Sequence, residues 1–252
     1  MSSGLIRTAA DSPNALDEQG FVLSLPRLAP ALPTARWASA LVLLPVFLQA
    51  PWVRVHPFSA GLFTAVLLAI AIALGLQPIP SRSTAGALLL GFSGSWLAGT
   101  VFWGWLRIHP AWHLPVEAMA LPLALTGLSS RWRVGCAFYL SSLLGTALTD
   151  LAMALTGVMQ LWPQVLNAPI DQAQPLLHEA ALTLRDPGSL VILAAFSSLI
   201  LALAQALRQR HARSLTSDPS WSVAASVLIT TLMVDGLFLL FAALQPGLSG
   251  LI

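Results

Sequence analysis

Lysine is absent from the 252 residues, and charged side chains make up only 9% of them, against roughly 25% in an average soluble domain. A soluble fold of this size cannot cover a 56% hydrophobic chain. Its core would absorb one face of each element, whereas here whole stretches of around 20 residues carry no charge on any side. The solvent that fits is a bilayer. All basic charge comes from twelve arginines scattered through the loops, and the formal net charge is +2, so no basic stripe exists to hold nucleic acid. Exclusive arginine use fits a genome's codon bias better than a physical demand, although bidentate recognition would also favour arginine. With Cys136 as the single cysteine, a disulfide framework and a cysteine-based metal motif are both excluded, and the redox compartment is left unread.

Seven apolar runs are present, at 37–53, 58–76, 84–106, 112–128, 135–158, 188–207 and 221–243. Each is near the ~20 residues a bilayer requires, and all are too long and too unalternating for barrel strands, so the expected fold is an all-α transmembrane bundle of about seven spans. Residues 1–36 read as a mobile polar tail. Arg7, Arg27 and Arg36 balance Asp11, Asp17 and Glu18, no apolar run suits a signal peptide, and only 21–32 suits an interface. Residues 244–252 read as a short C-terminal tail.

Arginine placement sets the expected orientation. Arg7, Arg27, Arg36, Arg82, Arg131, Arg133, Arg208, Arg210 and Arg213 fall on the tail side, and Arg54, Arg107 and Arg185 opposite, so the N-terminus is expected in the cytoplasm. Trp37, Trp132 and Trp221 sit at inner ends and Trp52, Trp103, Trp105 and Trp112 at outer ends, as interfacial belts require, with Trp96 the buried exception. Pro110, Pro115, Pro122 and Glu117 make the fourth run the irregular one, open to a kinked or a re-entrant reading. Deleting that span would move Arg131, Arg133, Arg208, Arg210 and Arg213 across and abolish the bias, which favours a kinked span.

The third run carries Gly86, Gly91, Gly94 and Gly99 with Ser93 and Ser95, a face that lets another helix approach closely, at the bundle's centre or from a partner membrane protein. Gly91-Phe92-Ser93-Gly94 has the form of an intramembrane serine-protease motif. The five histidines all lie in loops or at span ends, so no Ser-His pair is expected. HExxH, P-loop, dinucleotide and aspartate-rich motifs are missing.

Glu117, Asp150 and Asp235 stand out because carboxylates inside spans are costly. At ~1.5 Å per residue, Glu117 lies about 8 Å and the two aspartates about 12 Å from the outer ends of their spans. Shared depth on three spans points to one polar cluster in the outer half. Crowding carboxylates away from water favours keeping a proton on at least one of them, an ingredient of a proton relay. His113, one turn before Glu117, and Arg107 and Arg54 at span ends are the candidate cationic partners. Carboxylates bonded to Thr149, a tryptophan or Arg107 could equally just lock the bundle together. No spacing is diagnostic of a metal, and no cofactor is expected. In the outer loop 159–187, residues 176–182 read as a short amphipathic helix lying on the bilayer, where it could serve as a lid over the cluster.

The run from Gly91 through Gly99 and Phe102-Trp103-Gly104-Trp105-Leu106-Arg107 resembles a family of uncharacterised multi-span membrane proteins of cyanobacteria. His113-Leu114-Pro115-Val116-Glu117-Ala118, Gly145 to Asp150 and Val234-Asp235-Gly236-Leu237-Phe238 are similar to further blocks of that family. The resemblance implies the plasma or thylakoid membrane of an oxygenic phototroph and implies no activity. Two functions stand: a proton-coupled or ion transporter with Glu117, Asp150, Asp235, Arg107 and His113 around its path, or a non-catalytic scaffold in a photosynthetic or other membrane complex. A membrane enzyme ranks third. A reporter active only in the cytoplasm, fused to the C-terminus, is expected to stay silent, and strong signal from it would refute the seven-span arrangement.

Overall fold

The computed structural model describes residues 31–214 and 218–244. In an apolar solvent backbone amides must find partners within their own segment, and the described residues form helices and no strand. In chain order these are α1 (Ala31–Leu44), α2 (Ala50–Val55), α3 (Pro57–Gly75), α4 (Pro80–Val101), α5 (His113–Glu117), α6 (Leu121–Gly127), α7 (Arg133–Leu155), α8 (Val158–Asn167), α9 (Ile170–Thr183), α10 (Pro187–Arg213) and α11 (Ser220–Leu244). A π-helical stretch, Pro45–Gln49, joins α1 to α2, and a second, Phe102–Leu106, extends α4. α1 begins inside the segment read as tail, while the interfacial stretch 21–32 lies outside the described residues except for its last two positions. Residues 245–252 also lie outside.

Among the described residues six helices are long and apolar enough to cross a membrane: Thr34–Val55, Pro57–Gly75, Pro80–Leu106, Arg133–Leu155, Pro187–Arg213 and Ser220–Leu244. They coincide with six of the seven apolar runs. The fourth run, 112–128, is not a continuous helix, because a turn at residues 118–120 separates α5 from α6. Proline explains the break. In a helix interior the Pro122 ring would clash with the carbonyl four residues back, at Ala118, whereas at the start of α6 it costs nothing.

The broken segment nevertheless runs the length of the bundle. α4 and α7 are parallel: Gly91 lies on Gly135, Phe92 is 6.3 Å from Phe138, and the far ends of both helices reach His113, through Phe102 and Asp150. The chain must therefore travel back between them, and it does. It leaves the end of α4 at Arg107 and arrives at Arg131, whose guanidinium donates to the Gly75 carbonyl at the start-of-α4 end (2.6 Å). α11 is also parallel to α7, with Arg133 3.4 Å from Asp218 at one end and Thr149 bonded to Asp235 towards the other. α1 parallels α11, joined by a ladder of hydroxyls: Ser226 donates to the Ala35 carbonyl, the Ser39 and Ser226 hydroxyls are hydrogen-bonded at 2.7 Å, and Thr230 donates to Ser39 at 2.9 Å. α3 and α10 run the opposite way. Arg36, Arg82, Arg131, Arg133, Arg208, Arg210 and Arg213 consequently gather at one end of the bundle, and Arg54, Arg107 and Arg185 at the other.

α4 is the hub, with 61% of its most apolar window buried against 11% for α10. Its glycines make this possible. A Cβ on Gly86 would strike the α3 backbone at Gly75, one on Gly91 the Gly135 carbonyl, and one on Gly135 the Ala87 carbonyl. Gly94 faces Tyr139, and Gly99 faces Gln49. The glycine face is thus filled from within the chain. Trp96 sits in the resulting core, its indole donating to the Ala60 carbonyl (3.0 Å) between Trp52, Phe63 and Phe92.

At the far end α8 and α9 form a hairpin. Gly157 starts it with a φ of 77°, a conformation that favours glycine. The helix read at 176–182 is part of the longer α9, which packs on the bundle. Leu177 and Ala181 pack with Val165 of α8 against Ala242 of α11, and the His178 ring lies 3.1 Å from the Ala242 carbonyl.

Because Gly91 meets backbone, Gly91→Ala is expected to cost about 1–3 kcal/mol, as overpacked sites do. Gly61→Ala, whose Cβ would rest 3.7 Å from the Thr100 methyl, is expected to be near neutral. Thermal unfolding in one detergent checks the pair.

Candidate functional site

The π-helical stretch after α4 re-aims the side chains that border the segment's return. Phe102, at its start, is buried and stacks on His113 with ring centres 4.2 Å apart. His113 opens α5, and its Nδ1 lies 3.0 and 3.1 Å from the two oxygens of Asp150 on α7. The neighbouring Thr149 donates to Asp235 on α11 at 2.6 Å. Three helices thus bring His113, Asp150 and Asp235 together.

Glu117 ends α5. Its backbone carbonyl accepts a hydrogen bond from the Tyr139 hydroxyl, which in turn accepts from the Ala120 amide (3.0 Å). Tyr139 thereby satisfies backbone groups freed by the break between α5 and α6, which apolar surroundings would otherwise penalise. The Glu117 carboxylate has no such partner. Only 8% of the residue is exposed, yet the carboxylate accepts no hydrogen bond and forms no ion pair among the described residues.

Glu117, His113, Asp150 and Asp235 all line one cavity of about 640 Å³, together with Arg54 and Arg107. Its walls come from α1, α4, α7, α10 and α11 and are otherwise mainly apolar, and α8 and α9 contribute Trp162, Leu166, Leu177 and Ala181 at the far end. Gln49, 1% exposed in the first π-helical stretch, reaches across to the Trp96 carbonyl and the Thr100 hydroxyl and fixes α1 against α4 beside the cavity. Ser95, also on the wall, has a buried hydroxyl with no hydrogen-bond partner among the described residues.

Several expectations change. His113, expected as a cationic partner of the carboxylates, makes its hydrogen bonds to Asp150, 37 positions away, because the imidazole turns towards α7, and it makes none to Glu117 one turn along. Glu117 lies deeper than the two aspartates. Tyr139, which holds its carbonyl, packs on Gly94, midway along the third span, so the cluster extends from the outer half to the middle. Arg107 contributes its carbonyl to the Trp162 indole (3.0 Å), and its guanidinium forms no ion pair among the described residues. Ser93 donates to the Leu89 carbonyl of its own helix (2.7 Å), as a structural serine does. No three His, Cys, Asp or Glu side chains converge to hold a metal ion among the described residues. Gln49 and Trp162 went unnoticed as wall residues. The signal for Trp162 is the helical spacing of Val158, Leu161, Trp162 and Val165, which marks an amphipathic helix.

Six helices of membrane-crossing length around an internal polar cluster make this a multi-pass membrane protein. The chain belongs to a family described as protein of unknown function DUF3120, whose model matches residues 38–243. No curated protein and no solved structure matches it.

Chemically, a carboxylate–imidazole pair beside two further carboxylates can hold and pass protons, and the mainly apolar walls confine those charges to the cavity. The geometry assigns the partner. A double-mutant cycle of His113→Ala with Asp150→Ala is expected to show a coupling on the order of 1 kcal/mol in unfolding free energy, and one with Glu117→Ala a smaller coupling.

Proposed function

We propose that the protein is a proton-coupled or ion transporter whose path runs through the cavity bordered by Glu117, Asp150, Asp235, His113 and Arg107. The observation that carries this reading is that all five residues line one cavity inside the bundle. Carboxylates are rare in membrane interiors and face cavities or partners when they occur there. A broken helix beside such a cavity, as at residues 118–120, is the arrangement in which transporters offer backbone and side-chain groups to a solute. In this reading the fourth segment crosses the membrane as the broken seventh span, the arginine-rich end with the N-terminus faces the cytoplasm, and the bilayer is the plasma or thylakoid membrane of an oxygenic phototroph.

One observation favours the scaffold reading. Asp150 and Asp235 both have partners, His113 and Thr149, as carboxylates that merely tie helices together would. Against it, the α4 glycine face, the natural docking surface for a second membrane protein, is filled by α3, α7 and Gln49.

Proton flux into vesicles holding the purified protein separates the two. The wild type is expected to carry flux, and Asp150→Asn and Asp235→Asn, at matched folding, to lower it by an order of magnitude or more, the equivalent of about 1.4 kcal/mol in a barrier. A wild type without flux, with the two variants losing stability instead, would overturn transport in favour of the scaffold.

A further inference from the structure

The Glu117 carboxylate and the Ser95 hydroxyl are the two buried polar groups on the cavity wall whose bonding the described residues leave incomplete. They sit on α5 and α4, which pack directly against each other. A carboxyl and a hydroxyl can both accept hydrogen bonds, and the donor that compensates a buried carboxylate most strongly is one that carries positive charge. Among the described residues the guanidinium groups that line the cavity lie further out. Val116, next to Glu117, packs on Ala98, whereas Arg107 follows Ala98 by nine residues, about 13 Å of helical rise, and Arg54 lies in the last turn of α2 on the same far side. His113 is already engaged by Asp150.

The size and chemistry of the cavity decide what kind of cation fits. A bare divalent metal needs several oxygen or nitrogen ligands converging within about 2.6 Å, and no three His, Cys, Asp or Glu side chains converge among the described residues. A volume of about 640 Å³ lies in the range of organic-ligand pockets, roughly 300–1,000 Å³. Its wall holds Phe92, Phe102, Trp103 and Trp162, the last two 5.8 Å apart, and aromatic faces attract cations as well as apolar bodies. An anion would meet its only guanidinium partners at the far end and three carboxylates further in.

We infer that the cavity binds a protonated organic amine with an apolar body, its ammonium group on Glu117 and Ser95 and its body against the aromatic wall. The inference rests on the reading of the cavity as a transport site and names its substrate class.

Calorimetric titration of the full chain in lipid nanodiscs tests it, with empty nanodiscs subtracted. The probes are 1-naphthylmethylamine and 1-naphthoate, which have the same apolar body and opposite charge. The amine is expected to bind at least tenfold more tightly than the acid, and Glu117→Gln to remove at least tenfold of the amine's affinity while leaving the acid unchanged. Equal binding of the two probes to the wild type would overturn the inference without needing any variant to fold. So would an unaltered amine affinity in Glu117→Gln. Proton flux measured on the same preparation keeps the two failures apart: flux without amine preference sinks the substrate class alone, and the absence of both sinks the transport reading with it.

Discussion

Gly91 of α4 and Gly135 of α7 meet backbone to backbone, and the position of every group in the cavity depends on that approach. Between helices in an apolar solvent there is no hydrophobic driving force, so close van der Waals packing at small residues sets the geometry. With α4 fixed against α7 here and against α3 at Gly86, the two parallel helices leave space beyond their contact. That space is entered by the returning segment and bounded by α1, α10 and α11. A larger residue at position 91 or 135 would push α7 outwards and carry Asp150 away from His113.

The same packing explains why the returning segment is broken. Pro122 forbids a continuous helix, and the freed carbonyl of Glu117 and amide of Ala120 find one shared partner in the Tyr139 hydroxyl of α7. α5 is thereby held as a short peg, with His113 at its outer end and Glu117 at its inner end, the first satisfied by Asp150 and the second left facing the cavity. Electrostatic character changes along that peg. Guanidinium groups mark the far rim, a carboxylate–imidazole pair lies below them, and an unpartnered carboxylate lies near mid-bundle.

The helices were legible because a bilayer imposes a length and an absence of charge that can be read directly, and six runs agree with six helices within a few residues at most ends. Pro110, Pro115 and Pro122 marked the irregular segment correctly, although its division into α5 and α6 depends on Tyr139, a residue that sequence offers no reason to connect with position 120. The polar residues of the cavity could be named from their cost in a membrane, but not paired. Which way His113 turns is set by the rotation of α5 against α7, and helices that are apolar all round encode almost nothing about rotation. Gln49 went unread for a related reason: one glutamine near a span end is unexceptional until a π-helical stretch turns it inwards onto Trp96 and Thr100.

The central claim is that an aqueous cavity reaches the carboxylates inside an otherwise lipid-facing bundle. Thiol labelling tests it most directly, in a Cys136→Ser background that removes the one native, buried cysteine. Thr146→Cys would place a thiol on the cavity wall, and Leu237→Cys, at a position 47% exposed on the outside of α11, would place one on the lipid-facing surface. A membrane-impermeant, water-soluble thiol reagent is expected to modify the first in intact membranes and spare the second. Protection of Thr146→Cys, with the protein shown to be folded, would mean that the cavity is sealed from water and would contradict the account.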